Sequence, residues 1–383
     1  MCPRETTLDN CTDFTNSTKI LSLDSFIPSC VGSPYDPRGA ERNFKTFLVS
    51  PTTNRSSYFR KALNTAGEHY GLKSPLFASD AKTIDSRRGA EKAFESSKLR
   101  QQSLFKEYQV GLAVSHLKGF PRIYGLGQYK GWPIIVSEYL EGPTLAQAIK
   151  LLPQHEGCPG GIEPATAASI GKAILRTLLN TRSLSGTFVH RDLSLSNILM
   201  RTSHKTLPKQ TAQQDFDMCL VDMGSSLYQE NETADLASSV EPGNLGTPEF
   251  APPEMLTANP SKTVNRASET IDTYALCSIL VLLITGRTPF SLSMRTDKTP
   301  YQIKTTEAPQ AALASMLNDK TAHSLLNLAM KGIKNDQPER YSLVNLYDAL
   351  TAWEEEYGDS NRLRKEPPPE FFSSKRNIMR SAA

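Results

Sequence analysis

Apolar and polar positions change texture near residue 44. Before it, the chain is rich in Thr, Ser, Asp, Asn and Pro, with short apolar patches such as Ile20-Leu21-Ser22-Leu23. That composition predicts a flexible leader over 1–43. From Phe44 onward strand-like runs appear: Phe47-Leu48-Val49, then Ser57 to Leu63, a turn at 64–68, and His69-Tyr70-Gly71-Leu72-Lys73. A helix is predicted through Ser103–Val110, and a strand at Ile134-Ile135-Val136. Glu138 to Gly142 is an acidic connector. Beyond it the period becomes helical, over Thr144–Leu152, Glu163–Asn180, Thr321–Ile333 and Ser342–Tyr357. Met218 to Val221 predicts a buried strand, and the polar stretch Arg201–Asp217 before it a solvent hairpin. A flexible, polar tail would occupy 358–383.

Composition narrows the classes. The 383 residues are 38% hydrophobic and 22% charged, with a formal net charge of +3. So small a balance argues against a dedicated nucleic-acid binder. The six cysteines form no C-x-x-C pair and no disulfide-like spacing, which suits a reducing, cytoplasmic setting. No signal-peptide core opens the chain, and export to a host stays open as a possibility. The most apolar run, Tyr274 to Ile284, is shorter than the ~20 residues of a membrane span. With Asp272 at its head it reads as a buried helix. Oligomeric state is not legible.

The chemistry is concentrated in a few motifs. Val189-His190-Arg191-Asp192-Leu193-Ser194-Leu195-Ser196-Asn197 reads H-R-D-L-x-x-x-N inside apolar flanks. Asp222-Met223-Gly224 follows an apolar strand, where a carboxylate beside glycine can bind a divalent cation. Lys73 ends a strand after a turn. Gly246-Thr247-Pro248-Glu249-Phe250-Ala251-Pro252-Pro253-Glu254 lies 32 positions beyond Asp222 at its far end (254 − 222). Thr285-Gly286-Arg287-Thr288-Pro289-Phe290 and Pro338-Glu339-Arg340-Tyr341-Ser342 come later.

In this order and spacing the motifs resemble those of eukaryotic-type serine/threonine protein kinases, over about Phe44–Tyr357. The resemblance implies an α+β, bilobal fold, a small β-rich lobe over about 44–137, a hinge over 138–142 and a larger helical lobe over 143–357, with ATP and Mg²⁺ as cofactors and protein Ser/Thr hydroxyls as acceptors. Asp192 would be the catalytic base, and Asn197 and Asp222 the metal ligands. Lys73 would hold phosphates, oriented by Glu107, with Glu91 and Glu95 as alternatives. Thr247 would support Asp192. Gly71, Ser137, Glu138, Leu140 and Leu199 would surround the nucleotide, the backbone N–H and C=O of Glu138 and Leu140 holding adenine. Ser137, at the gatekeeper position, predicts an enlarged back pocket. Arg340 would pair with Glu254. Arg191 implies an activation segment ordered by negative charge, with Thr233, Ser238 and Ser239 as candidate phosphosites and Glu241 as a partial substitute.

Three departures mark the chain within that family. The segment from Ser50 to Ser57 has no glycine where G-x-G-x-x-G is expected. Met223 replaces the Phe of D-F-G. Ser194 stands where a lysine is usual. They define the competing reading, a pseudokinase that binds nucleotide or scaffolds partners. A small-molecule phosphotransferase ranks last, because it would lack the Gly246–Glu254 segment.

Overall fold

The computed structural model describes residues 18–29, 44–51, 58–77, 87–230, 246–257, 266–292, 296–310, 313, 317 and 319–358, with side chains of the first helix from residue 99 onward. The chain divides into two compact units. The first runs to Glu141 and takes in Val221–Gly224. The second holds Gly142–Leu220 and the chain from Ser225 on. The division falls within the acidic connector.

The first unit is a seven-stranded sheet with a long helix. Its strands are β1 (Lys19–Ser22), β2 (Ser25–Pro28), β3 (Thr46–Val49), β4 (Phe59–Asn64), β5 (His69–Lys73), β6 (Ile123–Tyr129) and β7 (Trp132–Glu138). Their order is β1-β3-β4-β5-β7-β6-β2, every neighbouring pair antiparallel. The two outermost strands are consecutive in the chain, with only Leu23 and Asp24 between them. Those two residues continue the pairing, Leu23 N–H to Lys45 O and Asp24 N–H to Gln128 O, each at 2.8 Å. The sheet therefore closes on itself through residues 19–28.

This corrects the expected flexible leader for 18–29. Alternation explains it: Leu21 and Leu23 face inward and are buried, while Ile20 and Ser22 face out. Phe26 stacks on Phe44 with ring centroids 4.8 Å apart, beside Tyr70 and Tyr124. Glycines on β6 admit the stretch. A Cβ at Gly125 would stand 2.4 Å from Ile27 O, and one at Gly127 2.5 Å from Leu23 Cδ1. The helix α1 (Arg87–Val114) packs Leu104 against Ile123 and Ile135.

The second unit is mainly helical, with α2 (Leu145–Ala148), α3 (Pro164–Asn180), α4 (Leu207–Gln213), α5 (Thr270–Thr285), α6 (Pro300–Thr306), α7 (Lys320–Gly332) and α8 (Leu343–Tyr357). Two small hairpin-like pairs complete it: β8 (Gly186–Val189) with β11 (Leu227–Glu230), and β9 (Ile198–Met200) with β10 (Met218–Leu220). The predicted buried helix is α5, nearly every residue of which is buried. Its core stacks against α3, where Gly171 lets Leu280 and Leu350 approach within 3.0–3.2 Å of a would-be Cβ. The polar stretch 201–217 is not a solvent hairpin. It contains α4, whose Gln210 is fully buried and bonds the carbonyls of Arg201 and Lys205. Thr206 and Pro208 start that helix, and Gln214 ends it at φ +52°. Among the described residues no helix is long and apolar enough to cross a membrane.

Candidate functional site

Within the first unit, β5 carries Lys73 to its end, and α1 brings Glu107 to meet it. Lys73 Nζ donates to Glu107 Oε1 at 2.6 Å and to Asp222 Oδ1 at 2.8 Å. Burial opposes the charge on Lys73, but the two carboxylates outweigh it and hold its pKa above the ordinary lysine value. Burial pushes Glu107 above the usual carboxylate range, although Lys73 and the Met223 N–H both favour its charge. Glu107 is thus the acid that meets Lys73. The side chains of Glu91 and Glu95 lie outside the described residues. Asp222 sits at φ +66°, an uncommon conformation for a residue with a Cβ. Met223 is buried where D-F-G has Phe.

The strand face that bears Lys73 also bears Gly71, across from Ser137 on β7. Ser137 is buried, and its Oγ donates to Gly71 O at 3.3 Å. Leu140 is buried as well. The Glu138 N–H donates to Arg122 O at 2.7 Å, so it closes the β6–β7 pair. Residues 52–57, the core of the glycine-free loop, lie outside the described residues.

The second unit holds the H-R-D-L-x-x-x-N segment. Asp192 Oδ1 accepts from the Thr247 N–H at 2.8 Å and from Thr247 Oγ1 at 2.7 Å. Asn197 Nδ2 donates to Asp192 Oδ2 at 3.0 Å and to Asp192 O at 2.9 Å. Both carboxylate oxygens are therefore oriented by named donors. Asn197 turns its amide nitrogen inward, so Oδ1 is the atom it could offer a cation. Leu199 lies on β9, paired with Cys219.

Sequence reasoning missed what fixes this loop. Asp272, at the head of α5, is 1% exposed. Its Oδ2 accepts the His190 N–H at 2.8 Å and its Oδ1 the Arg191 N–H at 2.9 Å. Burial raises its pKa, against the pull of His190 and of those two N–H groups. A carboxylate leading an otherwise apolar helix was the available signal. Gly246, which opens the segment singled out in the sequence, approaches the same loop. It has φ +89°, and a Cβ there would stand 2.8 Å from Arg191 O. Arg191 itself is buried at φ +66° and donates Nε to Arg266 O at 2.8 Å. Thr233, Ser238, Ser239 and Glu241 lie outside the described residues. Ser194 is buried, its Oγ 2.9 Å from that of Ser196.

Glu254 and Arg340 form a buried, two-point ion pair at 2.5 and 2.9 Å. Arg266 clasps Glu254 O, and Lys304, on α6, reaches the carbonyls of Ala251 at 2.7 Å and Glu249 at 3.3 Å. The segment after Thr247 is thus held from several sides.

Among the described residues no three His, Cys, Asp or Glu side chains gather as a metal cluster. The donor types of Asp222 and Asn197, a carboxylate and an amide oxygen, nonetheless suit Mg²⁺, which binds few protein ligands and keeps its waters.

Comparison with known proteins matches these features to one family. The protein kinase domain family matches residues 81–351, well over half of the chain. A calmodulin-binding receptor-like cytoplasmic kinase 2 of Arabidopsis thaliana is 25% identical over 249 residues, 64% of this chain and 53% of the relative. A putative serine/threonine-protein kinase of Mycoplasma genitalium is 25% identical over 237 residues, 58% of this chain and 55% of that protein. The chain spans about half the length of these curated relatives. The family match starts beyond Lys73, so it is the geometry around Glu107 that singles out this lysine. With that match and an α+β fold of the protein kinase type, the chain belongs to the protein kinase family.

Proposed function

We propose that the chain is an ATP-dependent serine/threonine kinase of proteins. The observation that carries this reading is Asp192, whose two oxygens are oriented by Thr247 and Asn197. In the reaction, the bond between the γ-phosphorus and its bridging oxygen breaks. A new bond forms to a substrate Ser or Thr hydroxyl, whose proton passes to Asp192. Thr247 and Asn197 fix the carboxylate so that it need not reorganise as the proton arrives. Lys73, positioned by Glu107, supplies positive charge to phosphate oxygens. Mg²⁺, when held by Asp222 and Asn197, would neutralise charge on the phosphates. Gly71, Ser137, Leu140, Leu199 and the Glu138 carbonyl are the groups assigned to the base.

One observation favours a second reading. Ser194 is buried against Ser196, and the Ser194–Ser196 stretch offers no cation to a transferring phosphoryl group. A pseudokinase that binds nucleotide or scaffolds partners fits that feature. Phosphate transfer from labelled ATP with Mg²⁺ decides between them, measured with and without basic protein substrates. Wild type is expected to label itself or a substrate, and Asp192→Ala and Asp222→Ala to lose the signal. Equal signals in all three would sink the enzyme reading.

A further inference from the structure

Lys304, on α6, is 1% exposed, and among the described residues no carboxylate forms an ion pair with it. A buried ammonium group is costly unless it is paired. Lys172, the comparable buried lysine on α3, has Glu354 at 2.6 Å. Lys304 Nζ donates instead to two backbone carbonyls, Ala251 O at 2.7 Å and Glu249 O at 3.3 Å. The rings of Tyr274 and Phe290 lie 5.4 and 5.6 Å from it, within reach of a cation–π attraction. A methionine would fill the same space without burying a charge. The lysine is therefore explained by the groups it bonds rather than by the volume it occupies.

Those groups belong to one turn. The Phe250 and Ala251 N–H groups both donate to Thr247 O, at 3.0 and 2.8 Å. The N–H of Ala251 thus closes the turn, while its C=O ties the turn to α6. Thr247 at the other end gives its own N–H and its hydroxyl to Asp192 Oδ1. An unbroken run of hydrogen bonds leads from Lys304 through this turn to the carboxylate, all of it inside the second unit. Charged donors make the stronger and more directional hydrogen bonds, so Lys304 fixes the turn where an apolar side chain would only cover it.

We infer that Lys304 is a positioning residue for phosphate transfer: it fastens the turn Thr247–Ala251 to α6 and, through Thr247, holds the Asp192 carboxylate in line for the acceptor's proton. The inference rests on the kinase reading above and deepens it. No group assigned to the nucleotide belongs to this turn. Loosening it should therefore slow transfer without weakening the nucleotide.

The test is the rate of phosphate transfer from labelled ATP, to the chain itself and to a basic protein substrate, with ADP titration alongside. Lys304→Met keeps the volume and removes the donors. It is expected to lower kcat by about 10- to 100-fold and to leave KM for ATP and the ADP affinity unchanged. Lys304→Arg keeps charge and donors and should recover most of that loss. A wild-type kcat in Lys304→Met overturns the inference and leaves the kinase reading standing. Loss of ADP binding in step with kcat overturns it too, since that marks a general loss of structure. Should Lys304→Met fail to fold, nitrogen-15 NMR of the wild type decides. Burial lowers the pKa of Lys304 to about 7; Glu249 and Glu254 face it from the segment it holds and Tyr274 from α5, with Arg340 against the same ring. The Ala251 and Thr247 amide signals should follow the titration of the Lys304 side chain, and amides that ignore it overturn the inference. A wild-type chain that binds ADP but labels neither itself nor the substrate removes the kinase reading and the inference together.

Discussion

Replacing Asp272 tests how the loop bearing Asp192 is held. Asp272 accepts two backbone N–H groups, from His190 and Arg191, through separate oxygens. Both donors belong to buried residues, so neither finds water when its acceptor is lost. A buried donor left unsatisfied costs about 1–3 kcal/mol. Asp272→Ala strands two, a gross cost of about 2–6 kcal/mol. Relief from burying a carboxylate offsets part of this, because burial already disfavours the charge. A net loss of about 2–4 kcal/mol follows, a large share of the ~5–15 kcal/mol of a typical domain. Asp272→Asn keeps one acceptor and aims an N–H₂ group at the other donor, so it should fall between wild type and alanine. The effect on chemistry should exceed the effect on stability. Arg191 sits at φ +66°, a conformation that surrounding bonds must hold. Without the Asp272 acceptor the peptide can relax, and Asp192 is the next residue. A displacement on the order of 1 Å can cost about 10²-fold in rate. Urea unfolding followed through buried Trp353, together with kcat for phosphate transfer, measures both. Asp272→Asn with wild-type stability and wild-type kcat would refute the reasoning.

Three further predictions concern the second unit. Lys304 is buried, and burial lowers its pKa from 10.5 to about 7. Between those values the unfolded chain holds a proton that the folded chain does not, so stability should rise with pH from about 7 toward 10.5. The charges facing it are Glu249 and Glu254, and the urea midpoint of Lys304→Met should lack this rise; an identical slope in both proteins would contradict the assignment. Arg340→Ala leaves Glu254 buried without its partner, and should cost about 3–5 kcal/mol, whereas Glu254→Gln with Arg340→Met should cost less than the sum of the two single changes in a double-mutant cycle. Thr247→Val should lower kcat while Thr247→Ser restores it, since both keep the backbone N–H bond to Asp192 Oδ1 and only serine keeps the hydroxyl bond; equal rates for the two would remove that hydroxyl from the mechanism.

What could be read in the sequence was local. The stretch His190–Asn197 and the segment Gly246–Glu254 carry their chemistry in short runs, where spacing alone is informative. The helix α5 was legible because it is apolar all round. The partner of Lys73 was less so, because α1 offers several glutamates and only the packed helix brings Glu107 to the lysine. Asp272 could be seen but not interpreted, since its role depends on backbone donors 81 and 82 positions away. The helix α4 was hidden by its polar residues, although Thr206 and Pro208 spell a helix start. Strands β1 and β2 were hidden by brevity. Their signal lay elsewhere, in Gly125 and Gly127, two glycines inside a strand, a pattern that marks close approach of another backbone.

Closure of the sheet through residues 19–28 has a consequence for association. An open sheet presents rows of unpaired amides that can recruit a strand from another chain. Here the same short stretch occupies both outer positions, so one event removes both protections. A cut between Leu23 and Asp24 would turn a covalent clasp into two short strands, each held by its own few bonds. A chain begun at residue 44 would lose Leu21, Leu23 and Phe26 from its core and expose β3 and β6 together. The first unit would then be a template for strand addition on two sides, which is the geometry of a growing aggregate rather than of a dimer.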